Sequence, residues 1–314
     1  MPSEQKRDPP AKLPASAIGT AVLIAAVWGF NFVVIKVGVS AMPPLMLAAL
    51  RFAFSALPGV LLVKPPAAPL KLVAAYGLLL GVGEFGLLFT AIGLGASAGL
   101  SSILLQSQAF FTALLAAVLL GERLRAHNVA GMVVAGAGLV VFALASGGGV
   151  GGMSAPLLLM VLFAGLGWAG ANVAARKMPG TDALSLMVWS SLFSPVPLAA
   201  LSLLIEGPRA TAAAFAGLRP LTVGAIAYLV VLSTLLGYGL WNRLIMRHGA
   251  GRVAAFSLMV PVFGLVSAAL VLGERIAPLD AAGAALVVAG LLVHVFGGRL
   301  SERRAVKLPA TPPS

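Results

Sequence analysis

Ten runs of apolar residues, each close to the length that crosses a bilayer, take up almost the whole of this chain. A membrane helix needs about 20 such residues, because hydrocarbon offers no water to bond the backbone and the helix rises about 1.5 Å per residue. The runs lie near 16–38, 44–63, 71–92, 98–120, 127–145, 156–176, 183–205, 220–245, 253–272 and 279–297. The segments between them are short, and none can hold a soluble domain. Composition agrees: 60% of the 314 residues are hydrophobic and 10% are charged, where a soluble domain is roughly half apolar and a quarter charged. The expectation is an all-α polytopic membrane protein with ten transmembrane helices. Its 37 Gly suit helices that must approach closely.

Several function classes drop out early. Cysteine is absent, which removes disulfides, thiolate nucleophiles and thiolate metal sites. The net charge of +12 comes from basic residues standing singly or in pairs at the ends of apolar runs, with no basic domain to hold nucleic acid. Gly147–Gly152, "GGGVGG", has no Lys-Ser/Thr after it and no strand before it, so it is read as a flexible link rather than a phosphate loop. No cofactor is called for. The first apolar run is longer than the 7–15 residues of a signal h-region, so the first span is expected to be retained.

The chain repeats itself. "LLGERLRAHNVAG", from Leu119, returns as "VLGERIAPLDAAG", from Val271, and Asn31 and Lys36 return as Asn172 and Lys177. Each copy then holds five helices. An odd number inserts the second copy upside down, as in many secondary transporters. This divides the chain into an N-terminal tail (1–15), a first repeat (16–146), a Gly-rich link (147–155), an inverted second repeat (156–298) and a C-terminal tail (299–314). Charge supports the count. Sixteen of the 21 Lys and Arg fall on one set of alternate sides, four (Lys36, Arg209, Arg219 and Arg275) on the other, and Arg51 lies inside the second run. The positive-inside rule places both termini in the cytoplasm.

Three features together resemble the EamA branch of the drug/metabolite transporter superfamily: Trp28-Gly29 with Asn31, Arg51 in the second run, and Gly121-Glu122-Arg123 closing the fourth. The second half carries Gly273-Glu274-Arg275 and Trp168 with Asn172, but has Leu192 where Arg51 would recur, and its Trp–Asn spacing is one residue longer. Within that branch the chain is similar to the YddG-type exporters of aromatic and other amino acids. The resemblance implies a bacterial inner-membrane protein whose helices 1, 3, 4, 6, 8 and 9 surround a central cavity, with 5 and 10 at the periphery.

Residues able to carry transport are few. Glu84 alone among the nine acids falls near the middle of a span. A charge there costs about 2.5–3.5 kcal/mol on insertion scales, which marks it as a functional candidate. It can hold a substrate ammonium, couple protons, or pair with Arg51. Gln106 and Gln108 are two apart, so a regular α-helix points them about 200° apart and at most one faces the cavity, Gln106 being favoured. Ser101, Ser102 and Ser107 are expected to bond backbone. Tyr238 and Trp241 share a helical face, with Tyr228 nearly in phase, and Phe85 and Phe89 share another. Trp168 lies beside Asn172. Trp189 suits packing. Asn31 and Asn172 serve either as helix-to-helix glue or as cavity lining. Pro261 predicts a kink in the ninth helix, and Lys36 and Lys177 are expected to snorkel to opposite interfaces.

The candidate substrate-binding set is therefore Asn31, Glu84, Phe85, Gln106, Trp168, Asn172, Tyr238 and Trp241. The reading is a secondary transporter exporting amino acids or similar metabolites by alternating access. The alternatives are a multidrug or other metabolite transporter, a membrane enzyme, a channel and a scaffold. An enzyme would want a His, Cys or acid pair at depth, and the three His lie near helix ends. Its partners are a small-molecule substrate and lipid, with no nucleic acid. The Gly/Ala-rich helices five and ten offer faces for packing within a monomer or for a homodimer.

Overall fold

The computed structural model describes residues 13–145 and 153–305, and all regular structure among them is helical. The N-terminal tail up to residue 12, the Gly147–Gly152 link and the tail from residue 306 lie outside the described residues. In chain order the helices are α1 (Ala15–Val39), α2 (Pro44–Leu62), α3 (Leu70–Gly93), α4 (Ala98–Leu120), α5 (Ala126–Ala145) and α6 (Ala155–Arg176). α7 has two legs, Ala183–Ser190 and Pro195–Glu206, bent by 42°. After a short helix, Pro208–Ala216, come α8 (Pro220–His248), α9 (Ala255–Leu272) and α10 (Pro278–Ala305). Eight of these are long and apolar enough to cross a membrane, and α7 makes nine if its legs form one span. α5 carries a shorter apolar stretch, Ala126–Phe142. Leucines such as Leu61, Leu62, Leu204 and Leu270 stand exposed on the outside, where lipid would cover them.

Four local departures from α geometry recur in matching places. α3 contains a π-helical stretch, Leu79–Gly86, and α8 contains another, Tyr228–Leu236. α4 carries a 3₁₀ turn at Leu105–Ser107, and a 3₁₀ stretch at Ala254–Met259 leads into the α-helical part of α9. Pro261 therefore occupies the first turn after a 3₁₀ segment, where no intrahelical bond needs its missing N–H. A change of helix type, from 3₁₀ to α, lies at the turn that this proline opens. α7 breaks at Ser191–Ser194, just before Pro195, and Ser194 Oγ donates to Gly77 O at 2.8 Å on α3.

Glycine lets these helices touch. A Cβ on Gly29 would stand 2.5 Å from Phe263 Cβ on α9, and one on Gly77 would stand 2.2 Å from Ser190 O on α7. α5 and α10 pack on one another through Gly131 against Gly290 and Gly138 against Gly283, with hypothetical Cβ-to-carbonyl distances of 2.5–3.1 Å. Of the two uses expected for these small faces, the structure shows the one inside the chain.

Both GER turns end their helices in the same way. Gly121 and Gly273 adopt the left-handed conformation (φ 69° and 67°), and their N–H groups bond Ala116 O and Ala268 O. The charges that follow Gly121 and Gly273 do not begin the next helices, which start at Ala126 and Pro278. Glu274 instead reaches the first turn of α4, accepting from Ser97 Oγ (2.7 Å), Ala98 N (2.9 Å) and Gly99 N (3.0 Å). Glu122 pairs with Arg176 of α6 at 2.7 Å. Glu206 caps α2 through Leu45 N at 2.9 Å, and Asp182 caps α7 through Ser185 N at 2.8 Å. Carboxylates at helix N-termini satisfy orphan N–H groups and meet the positive end of the helix dipole. Lys36, expected to snorkel, bonds Ile92 O (3.1 Å) and Ala96 O (3.3 Å) at the C-terminal end of α3, the complementary arrangement.

Two stability tests follow. Gly290→Ala forces a methyl against the Gly131 carbonyl and should cost about 1–3 kcal/mol, whereas Gly136→Ala, with open space around it, should cost nothing. Equal midpoints of thermal unfolding in detergent would contradict the packing. Glu274→Ala strips three donors of their acceptor and should also cost about 1–3 kcal/mol, with Glu274→Gln intermediate.

Candidate functional site

A cavity of about 330 Å³ lies among α1, α2, α3, α4, α6, α8 and α9, and the four departures from α geometry border it. α5 and α10 contribute nothing to its wall. The reason is geometric. A π turn widens a helix and a 3₁₀ turn tightens it, so each re-aims the side chains that follow, and such turns recur at functional sites. The α3 π segment brings Glu84 and Phe85, consecutive residues, to the same wall, with Tyr76 a little earlier.

The 3₁₀ turn in α4 overturns the expectation for its glutamines. At three residues per turn the step from Gln106 to Gln108 is about 240° rather than about 200°, which narrows the angle between them from about 160° to about 120°, and both line the cavity. The π segment of α8 corrects a second phase. Tyr238 and Trp241 face the cavity, but Tyr228 turns to α1, where its hydroxyl donates to Val27 O at 2.8 Å and its ring meets Phe30 at 5.7 Å.

The aromatic wall is locked together. Trp28 Nε1 donates to Ser233 O at 3.0 Å, a carbonyl within the α8 π segment. The Trp28 ring lies 5.4 Å from Tyr238 and 5.1 Å from Trp241. Trp28 was singled out by the sequence as a repeat marker and not as a site residue, yet it holds this wall. Trp168 faces the cavity from α6. Phe89 packs edge-on to Phe85 at 5.8 Å outside the cavity, and Trp189 lies away from it, donating to Val63 O at 3.0 Å.

The two asparagines both reach the cavity and differ in bonding. Asn172 Nδ2 donates to Gln108 Oε1 (2.9 Å) and Thr112 Oγ1 (3.2 Å) on α4. Asn31 Oδ1 is buried and accepts no hydrogen bond. Ser102 bonds backbone as expected, to Gly99 O at 2.7 Å, but the buried hydroxyls of Ser101 and Ser107 have no partner.

Two buried ionisable side chains face this space. Arg51 and Glu84 are 1% and 2% exposed. The Arg51 guanidinium carbon lies over the Phe85 ring, 3.9 Å from its centroid, with the Phe52 centroid at 5.8 Å. Its Nε and Nη1 and the Oε2 of Glu84 make no hydrogen bond, and no ion pair joins the two side chains. The structural Arg51–Glu84 pairing, one of the readings open from sequence, is thus absent. Arg51 adds α2 to the cavity-lining helices that the family resemblance implied.

Comparison with known proteins bears on this site. The chain matches the EamA-like transporter family over residues 15–144 and again over 155–296. It is 43% identical to a probable amino-acid metabolite efflux pump of Salmonella typhimurium, over 91% of this chain and 97% of that protein. A protein of Escherichia coli with the same description is 41% identical, over 92% and 97%. A probable terminal-alkyne amino-acid exporter of Streptantibioticus cattleyicolor is 27% identical, over 94% and 98%. One crystal structure superposes with a TM-score of 0.58 at 21% identity, covering 94% of this chain and 99% of that one, which shows the fold alone.

Gly167 sets the position of the acid. A Cβ there would stand 2.6 Å from Gly83 C and 2.8 Å from Glu84 N, whereas one on Gly170 would meet only the flexible end of Leu79 at 3.3 Å. Gly167→Ala should push α6 from α3 and lower transport by about tenfold or more, since small misplacements at a site have such effects. Gly170→Ala should stay near the wild-type rate. Equal rates for both, at equal membrane abundance, would contradict the assignment.

Proposed function

The chain belongs to the EamA-like transporter family, and on that premise we propose that it exports aromatic and other neutral amino acids, with related small metabolites, by alternating access. The observation that carries this reading is the cavity of about 330 Å³, whose lining includes Trp28, Trp168, Tyr238 and Trp241 and one buried acid, Glu84. An apolar pocket with a few convergent polar groups is what a small amphipathic ligand requires, and this volume is at the small end of the range for ligand pockets. Glu84 receives the amino group while the aromatic wall packs the side chain. The descriptions of the 41–43% identical relatives support an amino-acid metabolite as cargo. A purely cationic drug fits less well, because it would meet the Arg51 guanidinium.

Ten spans arranged as two inverted five-helix repeats supply the moving parts. Supporting this are the two family matches, one per half, and the recurrence of the π stretches, the 3₁₀ stretches and the glycine-capped GER turns at corresponding positions. The repeats rock about the central site. Both termini lie in the cytoplasm, following the distribution of Lys and Arg, and the membrane is the bacterial inner membrane.

The test is efflux from reconstituted vesicles loaded with a panel of neutral amino acids. Glu84→Gln should lower the rate about 10- to 100-fold, the worth of a hydrogen bond to a charged group. An unchanged rate and pH dependence would remove Glu84 from both binding and coupling. Wild-type vesicles that move none of the panel would overturn the export reading.

A further inference from the structure

We propose that Arg51 is the receptor for the carboxylate of the transported molecule, so that Arg51 and Glu84 together select α-amino acids in their zwitterionic form. The inference rests on the exporter reading above and adds to it the second half of the recognition site. Its basis is the state of the Arg51 side chain. A cation buried to 1% exposure, with Nε and Nη1 unpartnered and its neighbouring acid not bonded to it, is costly unless something supplies an anion.

The contacts that Arg51 does make are the ones that would present it. The Phe85 ring, 3.9 Å from the guanidinium carbon, meets the cation with its π face and supplies no lone pair. Nε and Nη1 are left without a hydrogen-bond acceptor, which a planar carboxylate would supply. The Phe85 ring is braced in turn by Phe52 at 5.6 Å and Phe89 at 5.8 Å, both edge-on, which fixes the orientation of the guanidinium. A rigid planar fork matches a carboxylate through two parallel bonds, a geometry that lysine cannot reproduce.

Placement completes the case. Glu84 and Phe85 are consecutive in the α3 π segment, so the residue that carries the acid is next to the one that seats the cation. An α-amino acid bears its ammonium and carboxylate on one carbon, and so needs two opposite charges close together on one wall. Asn31, whose buried Oδ1 accepts no hydrogen bond, lines the same cavity and offers a further acceptor for the ammonium. The asymmetry of the repeats is then functional. The second half has Leu192 and Leu236 where the first has Arg51 and Glu84, so both charges come from one repeat, while both repeats contribute aromatic side chains to the cavity.

The experiment measures binding to purified protein in nanodiscs, independently of transport. The probes are L-alanine, L-valine and L-phenylalanine, each also as its methyl ester, which keeps only the ammonium, and as its N-acetyl derivative, which keeps only the carboxylate. Wild type should prefer the free amino acid to either derivative by about 10- to 100-fold. Arg51→Gln should bring the amino acid-to-ester ratio close to one while leaving discrimination against the N-acetyl form, and Glu84→Gln should do the reverse. If Arg51→Gln does not fold, Arg51→Lys serves instead, because it keeps the charge without the fork and should lower the ratio part of the way. A wild-type ratio retained by the folded Arg51 variant would overturn the proposal, as would wild type that binds the esters as well as the free acids. Either result leaves the export reading standing, because that reading depends on the vesicle flux.

Discussion

Everything in this protein depends on the rule that a backbone in hydrocarbon must satisfy its own hydrogen bonds. Continuous helices meet the rule, and a bundle of continuous helices has no reason to enclose a polar site. The π and 3₁₀ stretches of α3, α4, α8 and α9 break the regularity without abandoning internal bonding. They alter which side chains share a face, and one carbonyl within a π segment, Ser233 O, accepts from Trp28 Nε1. The cavity lies where these four irregularities converge with α1, α2 and α6.

Helix association in lipid lacks the hydrophobic drive that folds a soluble domain, so close packing and polar bonds carry it. Gly29, Gly77, Gly131, Gly167 and Gly290 each stand where a Cβ would meet a neighbouring helix within 3 Å. The ends of the helices are tied by charge. Glu274, Glu206 and Asp182 take up orphan N–H groups at helix starts, while Lys36 takes up carbonyls at a helix end. The two equivalent glutamates are used differently. Glu274 binds the end of α9 to the start of α4, whereas Glu122 makes a surface ion pair with Arg176. The two GER turns are therefore fastened unequally.

Much of the site was legible because composition made polar residues rare. Glu84, Asn31, Gln106, Trp168, Asn172, Tyr238 and Trp241 all line the cavity, and each was conspicuous within an apolar run. Two errors of helix phase share one cause. The phases of Gln108 and Tyr228 were projected on a regular α-helix, and a change of helix type intervenes near each. Trp28 and Arg51 were visible as motif residues. That Trp28 locks the aromatic wall, and that Arg51 lies over the Phe85 ring with Nε and Nη1 unpaired, depends on neighbours far away in sequence.

Sequence alone determined that the chain is a helical membrane protein, which acid lies at depth and where the GER turns stop their helices. These follow from run length, from the cost of a charge in hydrocarbon and from the left-handed backbone that glycine accepts, all local properties. Tertiary structure alone decided which polar groups meet, which glycines are contact points, and that Arg51 and Glu84 share a wall without bonding each other. Those outcomes depend on helix rotation and register. In this bundle both are set by contacts between segments remote in the chain and by turns whose type the local pattern does not encode.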